Sequence, residues 1–166
     1  MNSFSTATIT VDIVIPAYER IELLREAVES VLAQTHKNFF LYIVDDASPV
    51  LLEKTLKIID PRISHLRLPV NSGPGIARNT GVQKGNAPFI AFLDSDDLWS
   101  PEKLSEQIAY MRENPTIKWV HTNEVWLRSG KVVKQKKEHR KEGGVFLERA
   151  FERCLISPSA VLLERK

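Results

Sequence analysis

The sequence holds one cysteine, Cys154, among its 166 residues. A single thiol excludes an intrachain disulfide and a cysteine-rich zinc site, and it suits a reducing compartment. Long apolar runs are missing as well. Phe89-Ile90-Ala91-Phe92-Leu93 falls far short of the roughly 20 residues that a membrane-spanning helix needs. The opening MNSFSTATIT has neither the basic start nor the apolar centre of a secretory signal. Net charge is only +2, so no overall field argues for nucleic acid as a partner. These absences make a cytoplasmic protein the expectation and leave the inner face of a membrane open. What remains, 43% hydrophobic and 27% charged residues, is ordinary for one soluble domain long enough to bury a core. Residues 1–10 are small and polar and are expected to be disordered. Residues 11–166 are expected to form a single domain, and no internal repeat is visible.

Apolar patterning predicts alternating strands and helices. Val11 to Ala17 is a β-branched run that reads as a buried strand. Leu23, Leu24, Ala27, Val28, Val31 and Leu32 then recur at the spacing of one helical face. Phe39 to Val44 is a second strand and Leu51 to Ile59 a second helix, stopped by Asp60-Pro61. Ile63 to Leu68, Gly75 to Lys84 and Phe89 to Leu93 continue as strand, helix and strand. Ser100 as N-cap and Pro101 at the first helical position predict a helix running to about Asn114. Trp119 to Leu127 with Val132-Val133 reads as a hairpin, 134–144 as an exposed loop, 145–154 as a helix and 160–163 as a last strand. The alternation implies an α/β fold, a mostly parallel sheet with helices on both faces. Such sheets bind ligands beyond the carboxyl ends of their strands, which is where the unusual residues stand.

Asp94, Asp96 and Asp97 crowd three carboxylates into four residues after the fourth strand. A hard divalent cation, Mn²⁺ or Mg²⁺, would relieve their repulsion; helix capping and solvated loop charge are the plainer explanation. Asp46, in the pair that ends strand two, can accept from the imide of uracil or from a ribose hydroxyl, and Tyr18 offers a ring face to a base. Arg78 sits in GPGIARNTG, where glycines admit a ligand to the backbone and a guanidinium matches phosphate geometry. Alone, each has a structural explanation: a turn, ordinary packing, a surface arginine.

Their order along the chain resembles the family 2 glycosyltransferases of the GT-A fold. The matching stretches are VDIVIPAYER, ESVLAQTHKNFFLYIVDDAS, NSGPGIARNTG and PFIAFLDSDDLWSPEKL, covering residues 11 to about 115. The resemblance implies that Pro16, Ala17, Tyr18 and Glu19 line a nucleobase pocket and that Asp46 contacts the base. Arg78 would lie near base or pyrophosphate, beside Gly75. Asp94 would face the ribose and lie close to the metal, with Ser95 also among the nucleotide-sugar-binding residues and Asp96 as the direct metal ligand. It implies transfer of a sugar from a nucleotide donor, UDP-linked by expectation, to a saccharide or lipid-linked acceptor with inversion. The metal would neutralise the leaving diphosphate, and a carboxylate base would deprotonate the acceptor.

That base is expected downstream of Lys166, so no catalytic residue is assigned, and the domain is expected to be truncated on its acceptor side. A fragment that binds nucleotide without transferring sugar is the alternative. Three other classes fail: Leu98 stands where a haloacid-dehalogenase phosphatase needs Thr or Val, Pro49-Val50 breaks a DxSxS metal site, and PAYER replaces GxGxxG after strand one. Lys131, Lys134, Lys136, Lys137, Arg140 and Lys141 form a basic stretch, either a solvated loop or an attraction to anionic lipid, hence peripheral membrane association. His121 would approach the metal if its strand lay beside strand four, Trp99 walls the donor pocket or packs in the core, and an exposed apolar edge would favour a homodimer.

Overall fold

Seven consecutive residues of β1 (Val11–Ala17) are buried, which explains a strand with almost no polar alternation: both of its faces are covered. In this computed structural model, which describes residues 9–128, 130–134, 144 and 156–166, β1 lies between two parallel partners. These are β2 (Phe39–Asp45) and β4 (Phe89–Phe92). β3 (Ile63–Arg67) extends the parallel run beyond β2. With β5 (Trp119–His121) and β8 (Val161–Glu164) the sheet reads β3-β2-β1-β4-β8-β5, β8 running antiparallel to both its neighbours. The chain walks outward from β1 to β3 and then crosses to β4, so the order reverses at β1 and β4. Loops diverge there and leave a crevice.

Among the described residues four α-helices cover the sheet: α1 (Ile21–Leu32), α2 (Leu52–Leu56), α3 (Pro74–Lys84) and α4 (Lys103–Glu113). Val11, Ile13 and Ile15 of β1 pack with α1 through Leu24 and Val28, and the same core takes in α4 through Leu104 and Ile108. On the other face Val14 and Val44 pack with Ala77 of α3. Gly81 sets that approach, because a Cβ there would stand 2.4 Å from Val14 Cγ1. Helices on both faces of a mostly parallel sheet were the expectation, and they are found.

Several boundaries differ. α2 ends at Leu56 and is capped by Lys57, a left-handed residue at φ 53°, three residues before Asp60-Pro61. Ser100 does not cap α4, which begins at Lys103 with no side-chain cap of its own. Gln34, buried at the end of α1, serves instead: its Oε1 accepts from Leu104 N–H at 3.1 Å and its Nε2 donates to the Ser100 carbonyl at 2.7 Å. The expected hairpin divides, because β5 joins the main sheet while β6 (Trp126–Arg128) pairs with β7 (Lys131–Val133). Of the N-terminal stretch expected to be disordered, Ile9 is buried and its carbonyl accepts from His36 and Asn38. Residues 1–8, the 145–154 helix with Cys154, and nearly all of the 134–144 loop lie outside the described residues.

At the amino end of the parallel strands, Asp12 is fully buried. Its Oδ2 accepts from Ala87 N–H at 2.7 Å and from Arg165 Nη2 at 2.8 Å. Arg165 also donates to the carbonyls of Ala87 and Val82, so it ties the chain after β8 to β1, α3 and the loop before β4.

Candidate functional site

At the carboxyl ends of β1, β2 and β4 the loops and the start of α3 enclose a cavity of about 340 Å³, within the size range of small-molecule sites. Pro16 and Ala17 line it from the end of β1, Tyr18 and Arg20 after β1, Asp46 after β2, Pro74 and Arg78 from α3, and Asp94, Ser95 and Asp96 after β4. Eight of the ten expected site residues therefore meet around one space. Glu19 and Gly75 do not line it. Arg20 and Pro74 do, and the sequence reading passed over both.

The loop after β1 is strained. Glu19 and Arg20 both take left-handed conformations, at φ 55° and 49°, which side chains with a Cβ adopt only when neighbours hold them there. One contact holds the backbone directly, Glu19 N–H donating to Ser48 Oγ at 2.9 Å. From the same turn the Arg20 guanidinium reaches Asp96 Oδ2 at 3.0 Å. Tyr18, next to them, is 44% exposed and lines the cavity, where its ring can meet a planar ligand.

Asp45 and Asp46 divide the work after β2. Asp45 accepts from Ser48 N–H and pairs with Arg67, fixing its own turn. Asp46 accepts from the amides of Ser72 and Gly73 at 2.7 and 2.8 Å, and so buckles the loop that feeds α3. That structural duty adds to whatever the carboxylate offers a ligand. Gly73, at φ 86°, is the glycine that this turn requires, whereas a Cβ on Gly75 would meet nothing within 4 Å.

The three carboxylates after β4 are not left to repel one another. Asp94 Oδ1 pairs with Arg78 Nη2 at 2.5 Å, and Asp96 with Arg20. Asp97 turns away from the cavity to accept from Ser159 Oγ at 2.6 Å. Burial holds the Asp97 carboxyl above its ordinary range, and the charges of Asp94, Asp96 and Glu124 add to this. Ser159 also accepts from Asp94 N–H, and its carbonyl takes the Trp99 indole N–H at 2.7 Å. Trp99 is thus a buried strut beneath the loop, and it does not line the cavity. Nothing local in the sequence marks Ser159, because its partners lie about sixty residues earlier.

Arg78 Nε is buried without a hydrogen-bond partner, although the Nη2 of the same group is engaged. A buried donor in a cavity wall asks for an acceptor from a ligand. α3 begins at the wall too, and the first-turn amides of a helix have no partners within it and favour anions. Asp94 and Asp96 offer hard oxygen donors, but among the described residues no three acidic, histidine or cysteine side chains converge to hold an ion by themselves. His121 does not approach. β8 separates β5 from β4, and the His121 ring stacks against Trp119 at 5.9 Å between centroids. Glu164 stands opposite Phe89, the first residue of β4, and pairs with Lys118 at 2.7 Å. It lies at the end of the sheet away from the cavity.

The family model described as "Glycosyl transferase family 2" matches residues 12–154. The chain belongs to glycosyl transferase family 2. Among its relatives is the Escherichia coli protein named UDP-Glc:alpha-D-GlcNAc-diphosphoundecaprenol beta-1,3-glucosyltransferase WfgD, 32% identical over 93% of this chain and 60% of WfgD. The putative teichuronic acid biosynthesis glycosyltransferase TuaG of Bacillus subtilis is 37% identical over 62% of this chain and 42% of TuaG. The chain thus spans less than two thirds of the length of either relative. Staphylococcus aureus TarS (residues 1–349), solved in complex with UDP-GlcNAc, superposes with a TM-score of 0.74 at 22% identity, covering 92% of this chain and 45% of TarS. That likeness establishes a shared GT-A fold. Among the described residues no helix is long and apolar enough to cross a membrane.

Proposed function

We propose that the cavity binds a nucleotide-sugar donor, UDP-linked, and that the protein transfers its sugar with inversion to a saccharide or lipid-linked acceptor. The process would be the making of a cell-surface polysaccharide or glycoconjugate, carried out at the cytoplasmic face of a membrane. One observation carries this reading: an exposed ring, a buried unpartnered guanidinium nitrogen and two carboxylates surround a single cavity at the switch point of the sheet. Tyr18 stacks on the base. Asp46 accepts the base N–H with the lone pairs left over from its two amides, as an ionised carboxylate has about four acceptor sites. Arg78 Nε takes the diphosphate, and Asp94 faces the ribose. The names of WfgD and TuaG, which give a UDP-linked glucose donor with a diphosphoundecaprenol-linked acceptor and teichuronic acid biosynthesis, support the donor, the acceptor and the process.

The donor set suits Mn²⁺ or Mg²⁺, both of which prefer carboxylate oxygen. Asp96 would hold the ion, with Asp94 beside it and diphosphate oxygens completing the shell. The Asp96 side chain is 49% exposed and its present partner, Arg20, 63%, so that pair is weak and readily exchanged. When bound, the ion supplies charge neutralisation for the departing diphosphate. Asp46, Asp94 and Asp96 are all engaged by amides or guanidinium groups, so the base that takes the acceptor proton is assigned to none of them. The same engagement favours a second reading, donor binding without transfer, and turnover assays separate the two.

Calorimetry of UDP with Mn²⁺, then with EDTA, tests the site. Chelation is expected to weaken UDP binding, and Asp96→Ala to remove the metal-dependent part while changing stability by less than about 0.5 kcal/mol, as an exposed substitution does. Equal UDP affinity of wild type and Asp96→Ala in Mn²⁺ would refute the metal assignment.

A further inference from the structure

β6 and β7 form a two-stranded sheet of their own, and an isolated hairpin is marginal in water without something to pack on. Cross-strand partners share a face. Leu127 stands opposite Val132, and the two are 62% and 73% exposed. Val125, just before β6, is 72% exposed. At the turn Arg128 stands opposite Lys131, with Lys134 following β7. The sequence adds four more basic residues between positions 136 and 141, against one glutamate. Leu127 and Val132 thus share one exposed apolar face, while alternation turns Arg128 and Lys131 to the other face at the tip, within reach of the same plane through their long side chains.

Its place in the fold matters. β5 ends at His121, and Thr122 N–H donates to the Ala160 carbonyl, next to the Ser159 that braces the Asp94 loop. Glu124 is close enough for its charge to be felt at Asp97. The hairpin therefore springs from the cavity end of the sheet.

We propose that the β6–β7 hairpin is a docking surface for an anionic lipid bilayer, which turns the cavity toward the membrane. Leu127, Val132 and Val125 would enter the boundary between headgroups and acyl chains, while Arg128, Lys131 and Lys134 meet lipid phosphates. A protein partner fits less well, because the centres of protein interfaces are depleted in lysine. The proposal deepens the acceptor side of the function above and rests on that reading only for its purpose, since vesicle binding and UDP binding are measured separately.

The test is flotation of the full chain with phosphatidylglycerol–phosphatidylcholine vesicles and with phosphatidylcholine alone, with the UDP thermal shift recorded for every variant. Binding is expected only to the anionic vesicles, and salt should weaken it. Lys131→Ala with Lys134→Ala should reduce it at least about tenfold, and Leu127→Ser with Val132→Ser should reduce it comparably. The UDP shift should stay at the wild-type value in all of them. Equal binding to both vesicle types, or unchanged binding by both double variants, would overturn the proposal. So would a wild-type dimer in sedimentation velocity that Leu127→Ser with Val132→Ser turns into a monomer, because the face would then belong to a second copy of the chain.

Discussion

The two ends of the sheet use the same chemistry, carboxylate against guanidinium, for opposite purposes. At the amino end Asp12 is fully buried, and Arg165, 21% exposed, closes over it while also holding two carbonyls. At the carboxyl end Asp94 and Asp96 meet Arg78 and Arg20 in a cavity, with up to half of each carboxylate side chain exposed. Around them sit two left-handed residues and an unpartnered buried Nε. One end has removed its alternatives, and the other keeps partners that a ligand can replace. On the proposed function, stability and binding are built into separate ends of one sheet, and substitutions should separate them.

The largest effect is expected at the amino end. Asp12 Oδ1 already lacks a partner, so removing Arg165 leaves a buried, uncompensated charge. Arg165→Ala should cost about 3–5 kcal/mol of unfolding free energy, read by urea denaturation. UDP affinity of the folded fraction should be unchanged. A loss below about 1 kcal/mol would show that the buried pair does not anchor this end.

A smaller effect is expected under the cavity. Lys103 is buried with its Nζ 3.8 Å from the centre of the Trp99 ring. Burial pushes the ammonium from 10.5 down to about 7, against the pull of the ring face on its charge. Between those values the unfolded chain holds a proton that the native protein has released, so stability rises with pH. The contribution is complete above 10.5 and is lost as pH falls through about 7. Lys103→Met should flatten this dependence, and wild type should gain on the variant by at least about 1 kcal/mol from about pH 7 to about pH 9. Parallel curves for the two proteins would mean that Lys103 stays charged in the fold.

The difference between the two ends also explains what could be read from the sequence. β1 to β4 were legible because parallel strands covered on both faces are continuous apolar runs, punctuated by loops that carry the unusual residues. The site was largely legible for the same reason: its carboxylates and Arg78 sit where strands end or a helix begins. Arg20 was missed although it adjoins Tyr18-Glu19, because its importance lies in a left-handed conformation and in a contact 76 residues away. Ser159, Gln34 and Arg165 act across 60 to 153 residues, and no local pattern announces such bonds. β8 was expected as a strand, but its insertion between β4 and β5 is a matter of tertiary pairing, and that insertion is what keeps His121 from the site.

The smallest expected effect separates two glycines at the cavity rim. Gly73 has a φ of 86°, a conformation that penalises any Cβ, and its amide is one of the two held by Asp46. Gly75, two residues on, was expected to matter because a ligand would approach its backbone. It is exposed in the first turn of α3, it does not line the cavity, and a Cβ there would meet nothing within 4 Å. With space available and an ordinary helical backbone, alanine should act mainly by lowering the freedom of the unfolded chain. Gly75→Ala should therefore stabilise the protein by about 0.4–1 kcal/mol, seen as a small rise in Tm, with UDP affinity in Mn²⁺ unchanged. A clear loss of UDP affinity alongside that rise in Tm would restore the backbone-approach role of Gly75. It would also extend the ligand's reach along α3 beyond the residues that line the cavity.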